Sequence, residues 1–328
     1  MVCILYEYKI QMKKIGLFLL ALCLCACGRD DGCDDYRQAM RDFVVRISET
    51  ARAETAGFIV IPQNGIELVT LDGTADGSLA APYLAAIDGH GQEDLFYGYD
   101  RDGHPTPASA TDHLLGFLRR SHGQGKSVLV TDYCSDPEQV ASARTRCDAE
   151  GFVSFAAPSR SLDQIPETVL FHENSDDITR VADVRNFLYL INPEKFATKA
   201  EFVSAVCATN YDLIVMDIFF NDGTAFTSEE VERMRTKANG GRRLVICYLF
   251  IGEAEDYRYY WQSSWKRHRP KWLDKENPDW EGNYKVHYWD PAWQEIICGS
   301  GDSYLNRILR AGFDGVYLDI IDAFEYYE

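Results

Sequence analysis

The chain has 328 residues, is 46% hydrophobic and 13% aromatic, and carries a formal net charge of −18. Such a composition suits a globular protein with a large apolar core and excludes a disordered chain. The acidity excludes a nucleic-acid binder, which needs basic side chains against phosphates, and a basic patch for anionic membranes.

Lys13 and Lys14 precede an apolar run at 15–25 that is too short to span a bilayer. The run reads as a signal peptide, with Met12 as the start and residues 1–11 as an upstream extension. It ends in Leu24-Cys25-Ala26-Cys27-Gly28, which resembles a bacterial lipobox, with cleavage before Cys27 and lipid on its thiol. Plain secretion after a small-residue cleavage site is the alternative. The lipobox reading makes residues 1–27 a leader and places the protein in the bacterial cell envelope as an outer-membrane lipoprotein exposed at the surface. More than one acyl chain would hold it to the membrane. Residues 28–35, with Asp30, Asp31, Asp34 and Asp35, form either an export tag or an acidic tether.

From Asp35 onward helix and strand patterns alternate, the signature of a parallel sheet with helices outside. A helix over 36–53 is followed by strands at 58–64 and 83–89 and the polar run Gln92-Glu93-Asp94. A helix over 111–122 leads to a strand at 127–132. Asp136-Pro137-Glu138 then opens a helix, with a cap residue and a proline in its first turn. A short strand-like piece at 152–156 precedes a connector rich in Pro, Ser and Asp at 157–184. Next come strand 187–191, helix 199–209 and strand 213–218. Thr198 with Glu201 and Thr227 with Glu230 have capping-box spacing. Strand 244–251, a long aromatic segment, strand 286–289, helix 291–311 and strand 315–319 complete the series.

Without the 152–156 piece there are eight strands, the number in a (β/α)8 TIM-type barrel. The order begins with a helix and ends with a strand, the reverse of an ordinary barrel. The expectation is a single circularly permuted barrel domain over 36–328, with the connector 157–184 joining the ancestral ends. An unpermuted, doubly wound open sheet is the alternative.

Beyond the leader lie Cys33, Cys134, Cys147, Cys207, Cys247 and Cys298. None has CxxC spacing or a flanking His, which argues against a zinc site. Cys207 and Cys247 read as core thiols, and Cys134 with Cys147 is the one pairing worth testing as a disulfide. No phosphate loop, dinucleotide fingerprint or nucleophile elbow is present, so no cofactor is expected. No metal cluster is apparent, and His90 reads as a hydrogen-bonded loop residue.

Three blocks resemble those of the endo-α-1,4-polygalactosaminidases, glycoside hydrolase family 114. They are Ile251-Gly-Glu-Ala-Glu-Asp-Tyr-Arg258, Gly282-Asn-Tyr-Lys-Val-His-Tyr-Trp-Asp290 and Gly312-Phe-Asp-Gly-Val-Tyr-Leu-Asp319. Blocks similar to Ile61-Pro-Gln-Asn-Gly65, Asp88-Gly-His-Gly-Gln-Glu-Asp-Leu-Phe-Tyr97 and Val130-Thr-Asp-Tyr133 follow them in the family but precede them here. The resemblance covers about 36–156 and 186–328. It implies a TIM-type barrel that starts at helix five and ends after strand five in family order.

A glycosidase needs two carboxyl groups across the scissile bond, one to protonate the leaving oxygen and one to act as nucleophile or to activate water. The resemblance maps this pair onto Asp319, at a strand tip, as nucleophile or base, and Glu93 as acid, on strands two apart. Taken singly, Asp319 is equally a helix cap and Glu93 a solvated loop carboxylate. Asp322, Asp217, Gln63, Asn64, Glu253, Asp132 and Tyr133 also fall at or just beyond strand ends, as candidate substrate contacts. Glu255, Asp256 and Arg258 pair as a loop ion network or serve the site. All six Trp fall between Trp261 and Trp293; most are expected to pack, with Trp289 as the best candidate to line a cleft.

Two functions remain open at this point. One is a lipid-anchored, endo-acting hydrolase of an α-linked galactosamine-containing polysaccharide, expected to be a monomer without cofactor. The other is a non-catalytic glycan-binding surface lipoprotein on the same barrel, which predicts carboxylates too far apart for catalysis. A metal-assisted hydrolase built on Asp217, Asp319 and Glu93 is disfavoured, because no His stands near to ligate.

Overall fold

The computed structural model describes residues 32–328. The apolar run at 15–25, Cys27, Asp30 and Asp31 lie outside the described residues.

Continuous apolar runs make the central strands, as expected of parallel strands buried on both faces. β6 (Leu213–Met216) and β7 (Leu244–Phe250) are Leu-Ile-Val-Met and Leu-Val-Ile-Cys-Tyr-Leu-Phe. A five-stranded parallel sheet runs in the order β1-β11-β7-β6-β5, with β1 at Ile59–Pro62, β5 at Phe187–Tyr189 and β11 at Gly315–Asp319. A second parallel sheet joins β2 (Gly89–Glu93), β3 (Ser127–Tyr133) and β4 (Val153–Ala157). The two sheets meet at two seams. A parallel bridge pairs Gln63 with Gly91, where the Asn64 N–H donates to the Gly91 carbonyl at 2.8 Å. At the other seam β4 lies against β5, with the rings of Phe155 and Phe187 5.4 Å apart.

The helices follow from their caps and apolar faces. In α1 (Tyr36–Glu54) the Asp35 carboxylate accepts from the Gln38 N–H, and the helix buries Met40, Phe43, Val44, Ile47 and Ala51. It packs on β1, on α2 (Ala81–Ala86), on the last two helices and on the final turn of the chain. Helix α1 therefore packs on β1 and on the turn that follows β11. α3 spans Ala108–Gly123, and α4 (Pro137–Glu150) is capped by Asp136 and ends at left-handed Gly151. The Thr227–Glu230 capping box of α6 (Ser228–Met234) is reciprocal. At α5 (Lys199–Cys207) Thr198 caps as expected, but the Glu201 carboxylate reaches the Ala197 N–H instead of completing the box.

Four sequence expectations need correction. The 83–89 segment is not a strand: Pro82 and three alanines form α2, and the strand is Gly89–Glu93, too small and polar to read as one. Val153–Ala157, set aside from the count, pairs with β3 as a full member of the parallel sheet. The predicted strand at 286–289 is instead Asn283–Val286 (β10), which pairs antiparallel with β8 (Glu253–Glu255) and β9 (Leu273–Glu276) in a separate small sheet. The helix over 291–311 is interrupted around Gly299 and Gly301 into α7 (Pro291–Cys298) and α8 (Tyr304–Ala311). Counted from the connector, β11 is therefore the fourth parallel strand and not the fifth. Its distance from β2 is unchanged, with β1 alone between them.

The connector is stitched into the body. Lys237 and Asp212 form a fully buried ion pair at 3.0 Å, and Asn174 of the connector hydrogen-bonds to both. Among the described residues Cys134, Cys147, Cys207, Cys247 and Cys298 are free thiols.

Candidate active site

The carboxyl ends of β11, β1, β2 and β3 converge on one cluster of polar side chains. Gln63, just past β1 and 2% exposed, lies at its centre. Its Nε2 donates to Glu93 Oε2 and to Asp319 Oδ1, both at 3.0 Å, while its Oε1 accepts from the Tyr189 hydroxyl at 2.8 Å. Because the tyrosine donates to the oxygen, the amide is oriented with its nitrogen towards the acids.

Each carboxylate accepts from three donors. Asp319 takes Gln63 Nε2, the Ile320 N–H at 2.8 Å and the Tyr248 hydroxyl. Glu93 takes Gln63 Nε2, Asn64 Nδ2 at 3.0 Å and the Tyr133 hydroxyl. Asn64 Oδ1 in turn accepts the Glu93 N–H at 3.1 Å, so the asparagine holds both ends of the residue. The two legs on one amide nitrogen cap the separation of the carboxylate oxygens at twice 3.0 Å. With N–H bonds diverging by roughly 120°, the oxygens stand about 5 Å apart.

The backbone is strained just where these side chains are aimed. Asn64, Asp94 and Ile320, each beside a residue of the cluster, adopt left-handed φ of 58°. For a β-branched residue such as Ile320 that is a costly conformation, of order 1–3 kcal/mol, held only by surrounding contacts. Gly91 faces Tyr317 so closely that any side chain there would collide with the phenol ring.

Burial first, and then the charge of Glu93, push the Asp319 carboxyl up to about 7. Asp319 is only 8% exposed, whereas Glu93 is half-buried. Asp319 therefore ionises only near neutrality, with burial and the neighbouring Glu93 charge both opposing its negative form. Burial also lifts the phenols of Tyr133, Tyr189, Tyr248 and Tyr317 well above their usual range, so the first three stay protonated as donors.

The other sequence candidates divide sharply. Gln63, Asn64 and Tyr133 join Glu93 and Asp319 directly. Asp322 is half-buried in the turn after β11, close enough for its charge to act on Asp319. Asp132 is fully buried: its Oδ1 accepts from the Phe96 and Tyr97 N–H groups, so it anchors the loop after β2 and offers no substrate contact. Asp217 and Glu255 clasp Arg258 from two sides, at 2.7 and 2.6 Å. Asp256 pairs with Lys266 instead, at 2.7 Å. Glu253 is fully buried in the antiparallel sheet, bonded to Asn277 and Asn283. Trp289 packs among Tyr36, His287 and Tyr327, and Trp265, Trp272 and Trp293 are core. Tyr189 and Tyr248 escaped the sequence reading because, in the middle of apolar strands, they look like core aromatics. The described residues contain no cluster of His, Cys, Asp and Glu able to hold a metal.

Parallel strands that present paired, hydrogen-bonded carboxylates at their carboxyl ends make an α/β arrangement suited to two-carboxylate chemistry. Residues 192–327 match the model of glycoside-hydrolase family GH114. The segment contains Asp319, while Gln63 and Glu93 lie upstream of it. The chain is 42% identical over 158 residues to an uncharacterised protein of Methanocaldococcus jannaschii, covering 44% of this chain and 43% of that one. It is 47% identical over 123 residues to an uncharacterised protein of Deinococcus radiodurans, covering 38% and 37%. It is 39% identical over 122 residues to one of Thermotoga maritima, covering 37% and 36%. The chain thus spans less than half the length of each of these relatives.

Proposed function

We propose that the chain is an endo-acting glycoside hydrolase of an α-linked galactosamine-containing polysaccharide, working by a two-carboxylate mechanism. The observation that carries this reading is the Gln63 amide shared by Glu93 and Asp319. A separation of about 5 Å suits double displacement, in which the acids stand ~5–5.5 Å apart, better than the ~6.5–9.5 Å of single displacement. Asp319, buried and held by three donors, attacks the anomeric carbon. Glu93, the more exposed acid, protonates the leaving oxygen and then takes a proton from the water that releases the sugar. A binding module has no need of acids this close.

The rim supports a cationic amino sugar. Asp322 acts on Asp319, and in the loop that begins at Glu93 the half-buried Tyr99 hydroxyl feels Asp100, Glu325, Asp94 and Glu67 together, an acidic setting. This matches the acidity of the whole chain and favours protonated amines over neutral or acidic sugars.

The two seams between the sheets support a closed (β/α)8 ring, and α1 packed on β1 and on the turn after β11 supports a permuted order. In this reading Glu93 and Gln63, upstream of the matched segment, complete a site whose nucleophile lies within it. Cys27 is the proposed lipid site. The Arg37–Glu328 ion pair at 2.8 Å, and Tyr288 donating to the Tyr36 carbonyl, bring the start of α1 to the turn after Asp319. A short acidic tether would then keep the catalytic face close to the membrane.

The test is release of reducing ends from galactosamine-rich polysaccharide by wild type, Asp319→Asn and Glu93→Gln. Turnover by wild type alone is expected. Equal turnover by all three would refute the mechanism, and binding without turnover by wild type would favour the glycan-binding alternative.

A further inference from the structure

The loop after β2, which begins at Glu93 itself, is clamped by one residue of the connector. Arg160 Nη2 donates to Asp94 Oδ1 at 2.6 Å and to the Gly98 carbonyl at 2.5 Å, and its Nε donates to Asp102 Oδ1 at 2.7 Å. Its guanidinium lies 4.0 Å from the ring centre of Tyr133, whose hydroxyl donates to Glu93. Gly98, at φ 118°, lets this happen: a side chain there would strike Asp94, Arg160 and Tyr133 together.

We propose that Arg160 is the positioning residue for Glu93, acting through Tyr133 and Asp94. This rests on the reading of Glu93 as the acid. Two effects follow from the geometry. The planar cation covers one face of Tyr133 and fixes the ring so that its hydroxyl stays on Glu93 Oε1, a cation–π contact in a partly desolvated place. The fork also holds Asp94 and Asp102 at once, which fixes the left-handed turn directly after Glu93. A lysine can supply the charge but not both branches of the fork. The sequence hides this role, because Arg160 lies 67 positions from Glu93 in a stretch that reads as a linker.

The Glu93 carboxyl faces several groups besides Arg160. They are Tyr133 on β3, Asp94 beside it, Asp319 and Tyr317 on β11, Tyr248 on β7 and Tyr189 on β5. Asp319, whose carboxyl is raised to about 7, titrates beside Glu93, so both carboxyls are followed together.

The experiment compares wild type, Arg160→Gln, Arg160→Lys, Tyr133→Phe and the Arg160→Gln/Tyr133→Phe double variant. Side-chain carboxyl titration by NMR with carbon-labelled Glu and Asp is run beside turnover of galactosamine-rich polymer. Arg160→Gln is expected to move the Glu93 midpoint upward and to lower kcat roughly 10²-fold, the cost of a misplaced reacting group, with KM little changed. Arg160→Lys is expected to restore the midpoint but only part of kcat. In the Tyr133→Phe background the Arg160→Gln loss should shrink, since the two act in series. An unmoved Glu93 midpoint, or losses that simply add, would overturn the proposal. Absence of turnover by wild type would reject the hydrolase reading alone, because the titration still judges Arg160.

Discussion

Glu93 and Asp319, on strands separated only by β1, accept hydrogen bonds from the same amide nitrogen of Gln63. One neutral donor therefore sets the spacing and the mutual orientation of both acids. Gln63→Leu should lower kcat about 10²–10³-fold, as removal of a preorganised donor does, with KM nearly unchanged. Steady-state kinetics on a defined oligosaccharide would show it. A large rise in KM with intact kcat would mean that Gln63 binds substrate and does not organise the acids.

The short spacing of the pair predicts the stereochemistry. The first-formed product should keep the anomeric configuration of the substrate, as seen by proton NMR within the first turnovers. Inversion would require the acids to move apart on substrate binding.

Asp319 also predicts how stability depends on pH. Its carboxyl rises from an unfolded value of 3.8 to about 7 in the fold, so the native state binds the proton more tightly. That contribution is complete below about pH 4 and is lost as pH rises through about 7. Asp132, raised by burial to about 7, acts in the same direction. Between pH 5 and 8 the wild-type Tm should therefore fall, and Asp319→Asn should fall less and unfold at a higher temperature than wild type at pH 8. Parallel curves for the two proteins in thermal unfolding would contradict this.

Lys237→Met should cost about 3–5 kcal/mol, because it leaves Asp212 buried without its partner. Urea denaturation at neutral pH measures the loss. The double change Lys237→Met/Asp212→Leu should recover part of it, since removing both charges spares the unpaired one.

Much of the site was legible because its residues cluster in short blocks. Gln63-Asn64 and Asp132-Tyr133 stand at strand ends, where polar residues that interrupt an apolar pattern are visible from spacing, whereas Glu93 is picked out by the family resemblance. Their separate duties were not. Asp132 and Tyr133 are neighbours, yet one turns outward to brace a loop and the other inward to reach Glu93, as successive residues of a strand must. β2 was misplaced because Gly-His-Gly-Gln-Glu lacks the bulky residues that announce a strand. There the small residues serve a neighbour, since Tyr317 fills the space a Gly91 side chain would take.

By itself the sequence determined the alternation of helix and strand, the caps that open α4, α5 and α6, and the residue types able to carry acid chemistry. These depend on local periodicity and on hydrogen bonds within a turn. Tertiary structure alone decided that Val153–Ala157 joins the parallel strands and Val286 does not, that Tyr189 and Tyr248 are donors and not mere packing, and that Arg160 governs a loop far behind it. The reason is that a donor's partner, and a strand's neighbour, are set by closure of the sheet over hundreds of residues. No local pattern encodes that distance.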